Sequence, residues 1–261
     1  MGGTWRPPAF PETTVTAYHD GVLGRMRSRA VGRARPGTPE VVLVQGLGVS
    51  DYLLPGLAAF GRWTRAHLLE LPGFAGSGEP PHELDVPGYA HAVAGWLTAR
   101  DLGRVVLAGQ SGGTQIAARA AVGHPGVGAV VLASPIVDPA FARPVRLLLR
   151  WQLNARYEPP GLSRSHLPEW RRAGPRRLLR AALAHLAEPL EESVARLRVP
   201  LLVIRGREDR IGTGRWARRL AELAPDGDCL EVPGAHGFVW LDPDAWSEPV
   251  RRLAERVAAP G

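Results

Sequence analysis

A serine, an aspartate and a histidine stand in this chain in an order and a setting that suit nucleophilic attack on a carbonyl carbon. Ser111 is the centre of Gly109-Gln110-Ser111-Gly112-Gly113. Asp209 closes Arg205-Gly206-Arg207-Glu208-Asp209, and His236 follows in Pro233-Gly234-Ala235-His236. A serine hydroxyl is a weak nucleophile until a base takes its proton, and an imidazole base needs a carboxylate to fix its tautomer and stabilise the imidazolium. The order serine, acid, histidine is one in which such triads occur. The interval from Asp209 to His236 leaves room for one helix and one strand.

The elements that must position these residues can be read around them. Val105-Val106-Leu107-Ala108 is an apolar run suited to a strand covered on both faces, and 114–121 reads as a helix. Ser111 therefore falls on a strand-turn-helix corner that lifts its hydroxyl above the sheet edge. Side chains at Gly109 or Gly113 would collide where strand and helix approach. Asp209 lies just past the apolar run 199–204, and His236 just past the strand-like 229–232, so both fall at the carboxyl ends of later strands.

Upstream, 13–19 and 22–30 alternate around Asp20-Gly21 as an antiparallel hairpin does. Residues 1–12, with Pro7, Pro8 and Pro11, read as an extended arm. Strands are predicted at 41–44, 66–71 and 129–133, and helices near 52–60 and over 86–102. This alternation argues for the α/β class, with a mostly parallel sheet and helices on both faces. From 140 to 197 the alternation stops. That stretch is helical and arginine-rich, with breaks expected at Pro159-Pro160-Gly161, Pro168, Gly174-Pro175 and Pro189. Strand and helix resume through a helix at 214–223 and a last helix at 243–257. The division predicted is a core of 1–139 with 198–261, interrupted by a helical insertion at 140–197.

Composition excludes several chemistries. All 32 basic residues are arginine, so no lysine Schiff base or lysine general base is available. The single cysteine, Cys229, forms no intrachain disulfide and reads as a small buried hydrophobe. No histidine–carboxylate cluster has metal-ligand spacing, and neither a metal nor an organic cofactor is expected. Of the net charge of +7, +6 falls in 140–197, which holds eleven arginines and five glutamates. Its bland reading is a solvated helical surface; its functional reading is attraction of an anionic substrate or acidic partner. No recognition motif or basic-aromatic pattern points to nucleic acid. No basic stretch followed by an apolar core opens the chain, and 120–137 is interrupted by His124, Pro125 and glycines, so the expectation is a soluble cytoplasmic protein with no membrane partner.

Five segments, in this order, make the chain resemble the α/β-hydrolase superfamily: Gln45-Gly46-Leu47-Gly48, Leu71-Pro72-Gly73-Phe74-Ala75-Gly76-Ser77, the Ser111 corner, Gly206-Arg207-Glu208-Asp209 and Gly234-Ala235-His236. The resemblance runs from about residue 15 to 257. It implies a mostly parallel eight-stranded sheet, with 140–197 as a helical cap over the site. It also implies Ser111 as nucleophile, His236 as general base and then acid, Asp209 as its orienting acid, and the backbone amides of Leu47 and Gly112 as oxyanion donors. Glu208 and Asp138 remain alternative acids. Where many relatives carry His-Gly at the oxyanion strand this chain has Gln45-Gly46. Gln45, Tyr52, Gln110, Trp151, Trp170, Phe238 and Trp240 are the candidate substrate contacts.

Serine at the corner argues against haloalkane dehalogenases and epoxide hydrolases, whose pattern has aspartate there, and Gly112 against proline iminopeptidases, which typically carry tryptophan. The expectation is hydrolysis of an ester, lactone or thioester of a small-molecule acyl substrate, anionic or carrier-bound in its narrower form. C–C bond hydrolysis, a non-hydrolytic cyclase or lyase, and a small-molecule receptor on the same fold stay open.

Overall fold

The computed structural model describes residues 14–159 and 161–258; the arm at 1–12 and Thr13 lie outside the described residues. The described residues form one eight-stranded sheet from β1 (Val15–Gly21), β2 (Gly24–Val31), β3 (Val41–Val44), β4 (Ala66–Glu70), β5 (Val105–Gln110), β6 (Val127–Ala133), β7 (Leu201–Gly206) and β8 (Gly227–Val232), in the order β1-β2-β4-β3-β5-β6-β7-β8. The β1–β2 hairpin and the β2–β4 pair are antiparallel. Every pairing from β4 to β8 is parallel.

Period-two alternation sends side chains into two cores. Val42, Val44, Val105, Leu107, Leu201 and Val203 face one, with α2 (Val86–Arg100), α3 (Gly113–Ala121) and α8 (Gly214–Leu223) packed on it. Val41, Leu43, Val106, Ala108, Leu202 and Ile204 face the other, against α1 (Leu54–Gly61), the short α9 (Phe238–Leu241) and α10 (Asp244–Ala258). The central strands are buried on every residue, which is why β3 and β6 read as continuous apolar runs rather than alternating ones. In the second core Trp246 meets Phe60 edge-on, with ring centroids 4.9 Å apart. Cys229, on the edge strand β8, is only partly buried, because that strand has one open side.

Between β6 and β7 lie α4 (Pro144–Asn154), α5 (Leu162–Ala173), α6 (Pro175–Ala187) and α7 (Leu190–Ala195). The sheet closes over the excursion, with Leu132 opposite Val203 and Ala133 opposite Ile204. Leu190 and Val194 of α7 join the first core. Of the eleven residues of α4, in contrast, only Asn154 is buried. One expected break is absent: α5 continues through Pro168. A proline forfeits one helical hydrogen bond, but the next two residues anchor this helix. Glu169 accepts from the Ser50 hydroxyl (2.7 Å) and amide (2.8 Å), and Trp170 Nε1 donates to Leu47 O at 3.0 Å.

Candidate active site

Ser111 is the residue at which β5 turns into α3. Its φ is +55°, a left-handed conformation that costs a non-glycine residue roughly 1–3 kcal/mol. The surroundings enforce it: the Ser111 amide donates to Ala133 O at 2.9 Å, and its carbonyl accepts from the Thr114 amide at 3.1 Å. Both flanking glycines are sterically required. A Cβ on Gly109 would lie 2.2 Å from Gly113 O, and one on Gly113 would lie 2.5 Å from both Val44 O and Gln45 O.

The Ser111 hydroxyl donates to His236 Nε2 at 2.9 Å, and His236 Nδ1 donates to Asp209 Oδ2 at 2.9 Å. This tautomer follows from the acceptor-only carboxylate on the Nδ1 side. Asp209 Oδ1 accepts from the amides of Ile211 (2.7 Å) and Gly212 (2.9 Å). Behind it the buried Arg205 donates to Asp209 O and Gly212 O, bracing the loop. Burial alone would raise the Asp209 pKa, but the charge and hydrogen bond of His236 and the two amides bring it below the ordinary carboxylate range. For His236 burial disfavours the cation, yet the charge and hydrogen bond of Asp209, with the charge of Glu158 behind them, leave its pKa above the ordinary value. Such a chain can accept the serine proton and hold it as an imidazolium.

The two alternative acids have other partners. Glu208 accepts from the Gly234 amide at 2.7 Å and fastens the histidine loop. Asp138 accepts from the Ala140 amide and the Thr213 hydroxyl.

The amides of Leu47 and Gly112 donate to no acceptor among the described residues. Leu47 lies three residues past the end of β3 and Gly112 two past the end of β5, and these strands are parallel neighbours in the sheet.

The proposed substrate contacts divide by depth. Gln45, Tyr52, Gln110 and Phe238 are buried. Tyr52 donates to Gln110 Oε1, and Gln110 Nε2 donates to His236 O at 3.1 Å, so these two side chains hold the histidine loop from below. Burial holds the Tyr52 phenol far above its ordinary pKa. Neither amide atom of Gln45 has a hydrogen-bond partner among the described residues. Trp240 is buried as well, whereas Trp151 is 46% exposed. Tyr52, His166, Trp170 and Trp151 form a run of adjacent rings, with successive centroids 5.0, 5.1 and 5.5 Å apart.

Three polar residues from 144–187 that sequence reasoning did not single out reach the site. His185 rests on Gly112, where a Cβ would lie 2.8 Å from its Nε2, and its Nδ1 donates to Gln115 Oε1 at 2.7 Å. Burial lowers its pKa to about 4. His166, also shifted down by burial, neighbours His236. Glu158 accepts from the Gly237 amide at 2.9 and 3.1 Å. No local pattern marks any of the three, because the fold of the insertion alone brings them to His236, Gly237 and Gly112. Arg172 and Arg177 of the same segment donate to Ala75 O and Gly73 O, and Arg177 pairs with Glu79.

Among the described residues no group of three or more histidines, cysteines or carboxylates is placed to hold a metal ion. None of their helices is long and apolar enough to cross a membrane.

The model of the alpha/beta hydrolase family matches residues 41–248. Among solved structures, an enol-lactonase from Burkholderia xenovorans LB400 superposes with a TM-score of 0.70 at 19% identity, covering 91% of this chain and 99% of its own. A bromoperoxidase from Bacillus anthracis gives 0.74 at 18%, covering 92% and 99%. A thermophilic esterase from Thermogutta terrifontis gives 0.71 at 20%, covering 95% and 100%. No curated protein matches the sequence.

Proposed function

The chain belongs to the alpha/beta hydrolase family, and on that premise we propose that it is a serine hydrolase of an ester, lactone or thioester that works through an acyl-enzyme on Ser111. The observation that carries the reading is the continuous hydrogen-bonded line Ser111–His236–Asp209, with both links at 2.9 Å. Ser111 Oγ attacks the acyl carbon as its proton passes to His236 Nε2. The carbonyl oxygen, now an anion, is received by the Leu47 and Gly112 amides, each such donor being worth about 10²–10³ in rate. Collapse expels the alcohol or thiol, which takes the proton from His236. Water then enters, gives a proton to His236, and releases the acid as Ser111 recovers its own. The helices α4–α6 act as a cap over this chemistry, anchored by Glu169, Trp170, Arg172 and Arg177.

An active-site-directed fluorophosphonate is expected to label wild type at Ser111 and to leave Ser111→Ala unlabelled. Labelling that persists in the variant would remove Ser111 from the mechanism. Turnover of a p-nitrophenyl ester separates this reading from a receptor, which binds without turnover, and product analysis separates it from a cyclase.

The basic cap supports a narrower form, in which the acyl group arrives on an anionic carrier such as coenzyme A or an acidic carrier protein. Arg171 and Arg176 are the residues to test, since both are exposed and have no partner among the described residues, whereas Arg172 and Arg177 are occupied. Charge reversal at 171 and 176 should slow acyl-carrier hydrolysis and flatten its salt dependence, with p-nitrophenyl ester rates unchanged. Equal salt dependence in wild type and variant would leave these arginines as solvated surface.

A further inference from the structure

Two side chains four residues apart, at the end of α4 and in the turn after it, reach both loops that carry the acid and the base. Asn154, the last residue of α4, accepts the Arg210 amide on its Oδ1 at 3.0 Å. Its Nδ2 donates to Glu158 Oε1, and Glu158 accepts the Gly237 amide on both oxygens, at 2.9 and 3.1 Å. The amides taken belong to the residues immediately after Asp209 and immediately after His236. A Cβ on Gly237 would lie 2.6 Å from Glu158 Oε2, so the approach depends on glycine there. Asn154 is also the one buried residue of α4, while Val145, Leu148, Leu149 and Leu153 are each about half exposed or more. The end of this helix is therefore held to the core by a polar link rather than by apolar packing.

We infer that Asn154 and Glu158 form a clamp through which the inserted helices position Asp209 and His236 together, and that Glu158 supplies a second carboxylate charge to the imidazolium formed when His236 takes the serine proton. The inference rests on the serine-hydrolase reading. The groups facing His236 are Ser111 from the β5–α3 corner, Asp209 from the loop after β7, Glu158 from the end of the α4 segment and His166 from α5. Those facing Glu158 are His236, Asp209 and Asn154. The nearby cation Arg210 lies over the Tyr157 ring, 4.8 Å from its centroid, and donates to the Tyr157 hydroxyl. Glu158 is thus a positioning residue: it acts through His236 and its loop. Burial raises its own pKa, and the charge of His236 opposes that shift. A carboxylate at this position favours the charged imidazole, so its removal makes His236 easier to deprotonate.

The test is the second-order rate of Ser111 labelling by a fluorophosphonate, followed against pH, which requires no knowledge of the substrate. Glu158→Gln keeps one oxygen acceptor for the Gly237 amide and removes the charge. Its acid limb is expected to move to lower pH by about half to one unit. Glu158→Ala, which loses the acceptor as well, is expected to shift the limb similarly and to lower the plateau rate. A purely structural role would lower the rate at every pH and leave the limb where wild type has it. That result in a folded Glu158→Gln protein overturns the clamp while leaving Ser111 as nucleophile. Wild type that is not labelled at Ser111 overturns the serine-hydrolase reading, and the clamp with it.

Discussion

The imidazole of His185 lies directly on Gly112, so close that a Cβ at position 112 would sit 2.8 Å from its Nε2. The contact joins α6, in the inserted helices, to the residue that follows the candidate nucleophile. His185 cannot drift away freely, since its Nδ1 is committed to Gln115 Oε1, and Gln115 Nε2 donates to the carbonyls of His185 and Glu188.

This burial gives His185 a signature in stability. Its pKa is about 4 when folded against an ordinary value of 6.5. Between those values the unfolded chain binds a proton that the folded chain does not, so stability falls as pH falls. The loss from this one group is about 2 kcal/mol between pH 7 and pH 5. Chemical denaturation at the two pH values should show His185→Gln losing correspondingly less than wild type, and equal losses would mean that the ring is not held neutral.

Asp209→Asn replaces an acceptor with an amide that can present N–H to His236 Nδ1, which favours the tautomer with the proton on the wrong nitrogen. Ester hydrolysis is expected to fall by about 10⁴ in kcat with KM little changed. Asp138→Asn should stay close to wild type, because Asp138 bonds to Ala140 and Thr213. If the two variants exchange these behaviours, the acid has been misassigned.

The same substitution at two glycines should have opposite signs. A Cβ on Gly113 would lie 2.5 Å from backbone oxygens of Val44 and Gln45, which cannot move without distorting β3, so Gly113→Ala should destabilise by more than about 3 kcal/mol. Gly95 is exposed within α2 and has nothing within 4 Å of the position a Cβ would take. Gly95→Ala should stabilise by about 0.5–1 kcal/mol, by restricting the unfolded chain and favouring helix. Thermal or urea unfolding reads both.

Much of the scaffold was legible because its signals are local. β3 at 41–44 and α8 at 214–223 match the readings residue for residue, and the strands elsewhere differ by a few positions at their ends, where hydrogen bonding to a neighbouring strand rather than side-chain type sets the limit. Pro168 misled because helix-breaking is a local preference of a few kcal/mol, and the contacts of Glu169 and Trp170 with the Ser50 and Leu47 loop outweigh it.

By itself the sequence determined the sheet, the Ser111 corner and the chain order of Ser111, Asp209 and His236. Strand burial, turn sterics and the placement of polar residues after apolar runs are each written within a few neighbouring residues. Only the tertiary structure decided what the inserted segment places around Ser111, Asp209 and His236. Asn154, His166 and His185 lie in the inserted helices and Glu158 in the turn after α4, and their meaning comes from contacts with Arg210, Gly237, His236 and Gly112 that are distant along the chain. Pairwise geometry of that kind belongs to the fold as a whole, since each contact exists only after both of its partners have been placed.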